Sequence, residues 1–281
     1  MRHGSLVLTP PPLRKAARLR SGPYRLGETS FIFESSDNTW LGYLDKRYDA
    51  FRSTSSQNTF TFYFESTTDR IPEGMTSPLA THVEAHEIEP RRNGFLVRTA
   101  TVSATVDLEA RRATLSGPRA AYPLDNLLRY LLPALSEQGV LFHSAALEGV
   151  IACGPSGAGK STLASFAGKR ALCDELCAVR RNAEGHYRAT SLPYWQARPG
   201  STKLQAVLLL RHATRHRLRR VSTSEALRRL STEILWPVEI SSAMERALDQ
   251  ISGLVQSVPV FELAFAKDPS AWDFIEEHVL S

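Results

Sequence analysis

Gly154-Pro155-Ser156-Gly157-Ala158-Gly159-Lys160-Ser161 is a complete G-x-x-x-x-G-K-[ST] phosphate-binding pattern. The apolar run Gly149-Val150-Ile151-Ala152-Cys153 precedes it and reads as a strand. Thr162-Leu163-Ala164-Ser165-Phe166-Ala167 follows and reads as the start of a helix. In a strand–loop–helix setting the glycines let backbone N–H groups curl around a phosphate, and the helix start adds partial positive charge. Lys160 is placed to reach the β/γ oxygens and the Ser161 hydroxyl to ligate Mg²⁺. The pattern therefore predicts a nucleoside triphosphate held by Gly154, Pro155, Ser156, Gly157, Ala158, Gly159, Lys160, Ser161 and Thr162.

At 281 residues, 42% hydrophobic and 22% charged, the chain has the composition of a globular protein with a substantial core. The net charge of +5 is concentrated. Arg211, Arg215, Arg217, Arg219, Arg220, Arg228 and Arg229 fall within nineteen residues, with His212 and His216 among them. Such a run is either a solvated loop and helix face or a surface that steers an acidic partner or nucleic acid. No aromatic residue interleaves it, which argues against nucleic acid. Cys153, Cys173 and Cys177 are odd in number and read as small buried hydrophobes of a reducing compartment, not a disulfide framework or a zinc site. No run approaches eighteen apolar residues and the basic N-terminus has no apolar core. The sequence thus predicts a cytoplasmic protein without membrane span or secretory signal.

Residues before Pro123 read as β-rich. Strand patterns occupy 24–26, 30–34, 94–99, 101–108 and 111–115. In 59–65, Phe60, Phe62 and Phe64 alternate with Thr59, Thr61 and Tyr63. His82 and His86 have metal-ligand spacing but follow loop-like sequence and are not read as a site. From Pro123 the pattern changes. Leu124, Leu127, Leu128, Leu131, Leu132 and Leu135 share one helical face, with Pro123 in the first turn and Pro133 kinking or shortening the far end. A strand at 141–147 and the turn Glu148-Gly149 lead into the loop strand. Strands are predicted at 172–179, 204–210 and 260–265. Helices are predicted from a Ser222 or Ser224 cap through Leu230, over 241–255, and over 270–279 after Asp268-Pro269. The division is a β-rich N-terminal domain, 1–122, and an α/β nucleotide domain, 123–281.

Asp174-Glu175 lies thirteen residues after Ser161, room for one helix of about ten residues, roughly 15 Å long. The Leu-Ser-Gly-Gly signature of transporter ATPases and the Asn-Lys-x-Asp motif of GTPases are absent. His143, the loop at 154–161 and Asp174-Glu175 together make residues 143–179 resemble the core of the HPr kinase/phosphorylase family and its smaller bacterial relatives. The likeness continues through Pro193-Tyr194-Trp195, Arg198-Pro199-Gly200, the strand at 204–210, Glu225-Ala226-Leu227-Arg228-Arg229-Leu230, Val258-Pro259-Val260-Phe261-Glu262-Leu263 and Ser270-Ala271-Trp272. The long Glu-Ile-Arg-Gly-type segment of the phosphocarrier-specific enzyme is missing, so the resemblance does not imply that acceptor.

The resemblance implies a fold of α/β class, a P-loop kinase core of the HPr kinase/phosphoenolpyruvate carboxykinase type with a β-rich N-terminal domain. It implies ATP and Mg²⁺ as cofactors and phosphoryl transfer to a serine or threonine hydroxyl of a protein or peptide. Asp174 would be the base, His143 would sit beside Asp174 or the acceptor, Lys160 would grip phosphate, and Ser161 or Glu175 would hold Mg²⁺. Alternation along a strand sends Asp174 and Glu175 to opposite faces, favouring Asp174 for the site. Arg198 reads as a charge clamp or a surface residue, and Trp195 as an adenine platform or a loop anchor. The β-rich domain and the basic run are the parts suited to grip a polymeric acceptor. A small-molecule kinase and a non-catalytic ATP-binding scaffold are the alternatives. A homo-oligomer is left open, and neither nucleic acid nor membrane is expected as partner.

Overall fold

The structure, a computed structural model, describes residues 19–55, 58–66, 87–99, 102–117, 121–194, 197–238 and 241–281, with backbone alone at 66 and 121–123. His82, His86 and Trp195 lie outside the described residues. Among those residues the fold is mixed α/β, with three sheets and six α-helices.

The N-terminal half builds a seven-stranded sheet from β1 (Leu19–Leu26), β2 (Thr29–Ser35), β3 (Thr59–Ser66), β4 (Glu87–Arg91), β5 (Gly94–Arg98), β6 (Ser103–Asp107) and β7 (Arg112–Gly117), in the order β1-β2-β3-β7-β6-β5-β4. The strand periodicity of 59–65 is realised in β3, where Phe60, Phe62 and Phe64 are buried. The β-rich reading misses α1 (Asn38–Tyr48), which connects the parallel strands β2 and β3. Its signals are local: the Asp37 carboxylate accepts from the Thr39 and Trp40 amides, and Trp40, Leu41, Leu44 and Tyr48 form one buried face. The Trp40 indole stacks on Phe64 at 3.9 Å with an 8° interplanar angle, fastening helix to sheet.

Helix α2 (Ala121–Leu135) follows, and Pro133 shortens it as expected, to two residues beyond the proline. Its leucines share one hydrophobic core with the seven-stranded sheet and with Leu141, Leu176 and Ala178 from the second half. The proposed boundary at 122/123 falls at the start of this helix.

The second half contains β8 (Gly139–Phe142), β9 (Ser144–Leu147), β10 (Val150–Cys153), α3 (Lys160–Ala167), β11 (Ala171–Cys173), β12 (Cys177–Arg181), β13 (Tyr187–Ser191), β14 (Ser201–Lys203), β15 (Ala206–His212), β16 (Arg217–Arg220), α4 (Thr223–Leu230), α5 (Ser241–Ser257), β17 (Val260–Phe265) and α6 (Ser270–Ile275). They form a six-stranded sheet, β11-β9-β10-β15-β17-β16, and a four-stranded sheet, β14-β13-β12-β8. Period-two alternation divides the six-stranded sheet. Val150, Ala152, Leu208 and Leu210 pack toward α3 and α6, while Ile151, Cys153, Val207 and Leu209 pack toward α4 and α5. Among the described residues no helix is long and apolar enough to cross a membrane.

Three expectations change. The strand predicted at 141–147 is two strands, β8 and β9, broken at His143; the strand at 172–179 is β11 and β12, broken at Asp174-Glu175. In each case the chain leaves one sheet for the other at its polar residues. A continuous strand would drive carboxylates toward buried faces, which costs several kcal/mol without a partner. Because the pair stands in a bend, strand alternation does not assign its two carboxylates to opposite faces. The basic run is not a loop: it holds the end of β15, the edge strand β16, and α4 capped by Ser222. Leu218 packs toward the α3/α6 core and keys β16 to β17. The last helix is α6, with Asp268 accepting from the Ser270 amide at 2.9 Å, continued by a π-turn over Glu276–Leu280.

Trp40→Ala deletes the stacked ring from a filled core. Urea unfolding should show a loss of about 3–5 kcal/mol; a loss below about 1 kcal/mol would mean that α1 is not fastened through this ring.

Candidate functional site

The glycine loop joins β10 to α3. Gly157 and Gly159 have φ of 81° and 102°, values that side-chain-bearing residues avoid. A Cβ on Gly159 would stand 2.6 Å from Phe265 Cζ, so the loop lies against β17 with no room to spare. His212, at the end of β15, has Nε2 2.5 Å from the Gly157 carbonyl oxygen, so that nitrogen donates and pins the loop crest. Lys160 is only 7% exposed, and its ammonium donates to the Gly154 and Pro155 carbonyls at 2.6 and 3.3 Å. The ammonium is thus curled beneath the loop, while Pro155, Ser156, Gly157 and Ser161 face solvent and Thr162 is half-buried. Ala158 is buried, its amide donating to the Pro155 carbonyl at 3.0 Å.

Strand register brings the remaining residues to this end of the sheet. Cys153 pairs with Ser144 across β10 and β9, which sets His143 beside Gly154. The Ser144 amide donates to the Glu175 carbonyl at 3.1 Å, and the His143 amide to the Glu233 carbonyl at 2.8 Å. Cys173 pairs with Ala146, so Asp174 follows on the same side. The structure therefore gathers His143, Asp174, Glu175 and the 154–161 loop, and adds Glu233. The Glu233 carboxyl lies near Lys160 and the Gly154 amide.

Burial, and then the positive charge of Lys160, push the His143 imidazole below its ordinary value, against the pull of Glu175. At neutral pH this histidine is uncharged and can accept a proton. Burial pushes the Glu233 carboxyl up, against attraction to Lys160 and the Gly154 amide bond. The half-buried Asp174 carboxylate has no hydrogen-bond or ion-pair partner among the described residues. Glu175 does have one: Arg129 of α2 donates to it, and the Arg129 guanidinium also lies 5.6 Å from the Tyr194 ring centre. Arg198, expected as a clamp or a surface residue, donates to the Lys169 and Ala171 carbonyls and ties the turn between α3 and β11 to the loop between β13 and β14. Cys153, Cys173 and Cys177 are buried free thiols, Cys173 pushed up to about 12 by burial, so none offers a thiolate near neutrality.

These groups fit a triphosphate and its magnesium. The loop amides and Lys160 suit phosphate oxygens. Mg²⁺ needs only one or two protein oxygens beside phosphate and water, and the exposed Ser161 hydroxyl, without a partner among the described residues, is such an oxygen. A separate cavity of about 230 Å³ between the β1–β2 turn, α2 and the four-stranded sheet, lined by Arg25, Glu28, Leu132 and Arg180 among others, includes none of the loop residues.

Sequence reading missed three contributors. His212 had a signal, as the last residue of a strand parallel to the loop strand, at the end where α/β sheets place ligands. Arg129 also had one, a charge bordering an apolar helix face. Glu233 had none, because it arrives through the bridge of Ile234 to Phe142, a pairing of distant segments.

The Arg129–Glu175 contact belongs to a chain of polar groups reaching the N-terminal half. Tyr194 donates its hydroxyl to the Asp125 carbonyl at 3.1 Å, and Arg47 of α1 holds the Asp125 carboxylate at 2.6 Å. Burial nevertheless raises Asp125 from an ordinary 3.8 to about 6, outweighing Arg47 and Arg129, and its Oδ1 is buried without a hydrogen bond. The folded chain thus binds this proton more tightly than the unfolded chain, so stability from this group is full below about pH 4 and declines as pH rises through about 6. Relative to Asp125→Asn, the wild type should lose stability across that window in denaturant titrations. Parallel pH profiles would contradict this. Compared with known proteins, the chain matches no family model and no curated sequence.

Proposed function

We propose that the chain is an ATP-dependent phosphotransferase that passes the γ-phosphate to a serine or threonine hydroxyl of a protein or peptide. The observation that carries this reading is one convergence: the lysine-bearing glycine loop, His143 and the bend of Asp174-Glu175, whose Asp174 carboxylate is unpaired among the described residues, lie at the same end of the six-stranded sheet. A loop that only bound nucleotide would have no use for the second and third. The resemblance of residues 143–179 to the HPr kinase/phosphorylase core supports the same reading, with a P-loop kinase domain over 123–281, a β-rich domain before it, and a cytoplasmic setting.

Phosphoryl transfer needs alignment, charge neutralisation and a group to take the acceptor's proton. The loop amides and the α3 N-terminus hold phosphate oxygens, and Lys160 turns from the Gly154 and Pro155 carbonyls to the transferred group. Asp174 orients the acceptor hydroxyl and receives its proton as the oxygen bonds to phosphorus and the bond to ADP breaks. His143, kept neutral by burial and Lys160, hydrogen-bonds in that proton path without adding charge. Glu233, beside the Gly154 amide and Lys160, places a carboxyl at the start of the loop. Ser161 and Glu175 are the groups that would hold Mg²⁺, Glu175 only by giving up Arg129; the ion would draw charge from the phosphoryl oxygens. The Arg129–Glu175 pair is about one-third exposed on both sides, which limits its worth to roughly 1 kcal/mol. Its release is therefore a small cost.

The test is transfer of labelled γ-phosphate to candidate peptides and metabolites, with ATP affinity measured separately. Lys160→Ala should abolish transfer. Asp174→Asn should keep ATP affinity within about threefold and lower kcat by about 10²–10⁴. Wild-type kcat in Asp174→Asn would remove it as the base, and ATP binding without transfer to any hydroxyl would leave a scaffold.

A further inference from the structure

We infer that the open edge of β16, with the arginines around it, is a docking site for an extended acidic segment of a polypeptide. The inference rests on the phosphotransferase reading only in naming that polypeptide the acceptor.

Three observations carry it. First, β16 ends the six-stranded sheet: it pairs with β17 on one side, and no strand covers its other edge among the described residues. The Val221 amide donates to the Val260 carbonyl at 2.9 Å, so Val221, Arg219 and Arg217 turn their amides toward β17. By the period of two, Leu218 and Arg220 turn theirs outward. An added strand finds donors and acceptors there.

Second, the edge carries uncompensated charge. Glu225 and Glu262 are taken up by Arg219 and Arg229 at 2.7–3.4 Å, with Arg211 at 3.8 Å, and Asp268 lies beside His216 and Ser270. Arg215, Arg217, Arg220 and Arg228 are exposed and have no partner among the described residues. Arginines on an edge strand repel basic strands and favour acidic ones over neutral ones. The absence of aromatics in the run favours peptide over nucleic acid.

Third, the edge leads to the loop. Arg217 is level with Ala264 and Arg211, one residue before His212, which holds Gly157. His216 anchors the intervening turn through Ser270 Oγ at 2.9 Å and the Ala266 amide at 3.3 Å. Three strand spacings, about 14 Å, separate β16 from the loop strand, and an added strand would lie about 19 Å away. A hydroxyl about six residues along the docked chain would reach the loop at ~3.3 Å per residue.

The test uses the intact chain without ATP, so docking is read separately from catalysis. A fluorescent twelve-residue glutamate-rich peptide and its glutamine counterpart are titrated by anisotropy at low and moderate salt. The glutamate peptide should bind at least tenfold tighter, the more so at low salt. Combined Arg217→Gln, Arg220→Gln and Arg228→Gln should abolish that difference, with melting temperature and ATP affinity unchanged. Hydrogen exchange at the Leu218 and Arg220 amides should slow when the peptide is added. Equal binding of the two peptides, an unaffected triple variant, unchanged exchange at those amides, or tighter binding of an RNA oligomer of equal charge would each overturn the inference. Peptide binding with no labelled phosphate passed to any hydroxyl in the separate ATP assay would sink the phosphotransferase reading and leave the docking site; transfer without such binding would do the reverse.

Discussion

Two backbone hydrogen bonds hold the site together: the Ser144 amide to the Glu175 carbonyl and the His143 amide to the Glu233 carbonyl, at 3.1 and 2.8 Å. Both start where β8 gives way to β9, and the first ends where β11 gives way to β12. A chain that changes sheets must leave its ladder, and the freed amides need partners, since a buried unpaired amide costs as much as a lost hydrogen bond. Here the second crossing supplies the partner of Ser144, and the segment after α4 supplies that of His143. One consequence is mechanical, because the four-stranded and six-stranded sheets are tied at a point. The other is chemical: the side chains at the crossings are released from strand alternation beside the glycine loop.

Burial then differentiates those side chains. His143 and Glu233 share the neighbourhood of Lys160, and burial moves both toward their neutral forms. For the histidine, Lys160 adds to the shift; for the glutamate, it opposes it. Asp174 keeps an unengaged carboxylate, and Glu175 is partnered by Arg129 from α2. Two adjacent acids are thus given different circumstances by tertiary contacts, although in sequence they are equivalent. Through Arg129, Tyr194, Asp125 and Arg47, the same contacts reach helix α1 of the N-terminal half. The N-terminal half bears on the site through helix α2, whose apolar face lies in its core and whose charged edge meets Glu175.

The basic run shows how pattern and structure diverge. Its arginines are visible in any reading of the chain, and their density suggests a solvated surface. Leu218 is the residue that makes it a strand, because one apolar side chain at the right parity docks β16 against the α3/α6 core. Glu225 and Glu262, from α4 and β17, then neutralise some arginines and leave others free. The division into engaged and free cations is a property of three elements meeting, and no window of sequence contains it.

Sequence by itself determined the loop, the strand before it and the helix after it. Those depend on local rules: glycine at positive φ, an apolar strand, a helix start. It also indicated the β-strands of the N-terminal half apart from β4, among them β3, where Phe60, Phe62 and Phe64 alternate, and the helical face of Leu124 to Leu135. Helix α1 was legible too, in its Asp37 cap and buried spacing, and was hidden by the strand signals on either side. Tertiary structure decided where strands break, since a sheet change is set by which distant strand offers partners. It decided that Glu175 is held by an arginine forty-six residues away, and it brought Glu233 to Gly154 through a pairing of Ile234 with Phe142. Local sequence carries dihedral preference and periodicity; it does not carry the identity of a long-range partner.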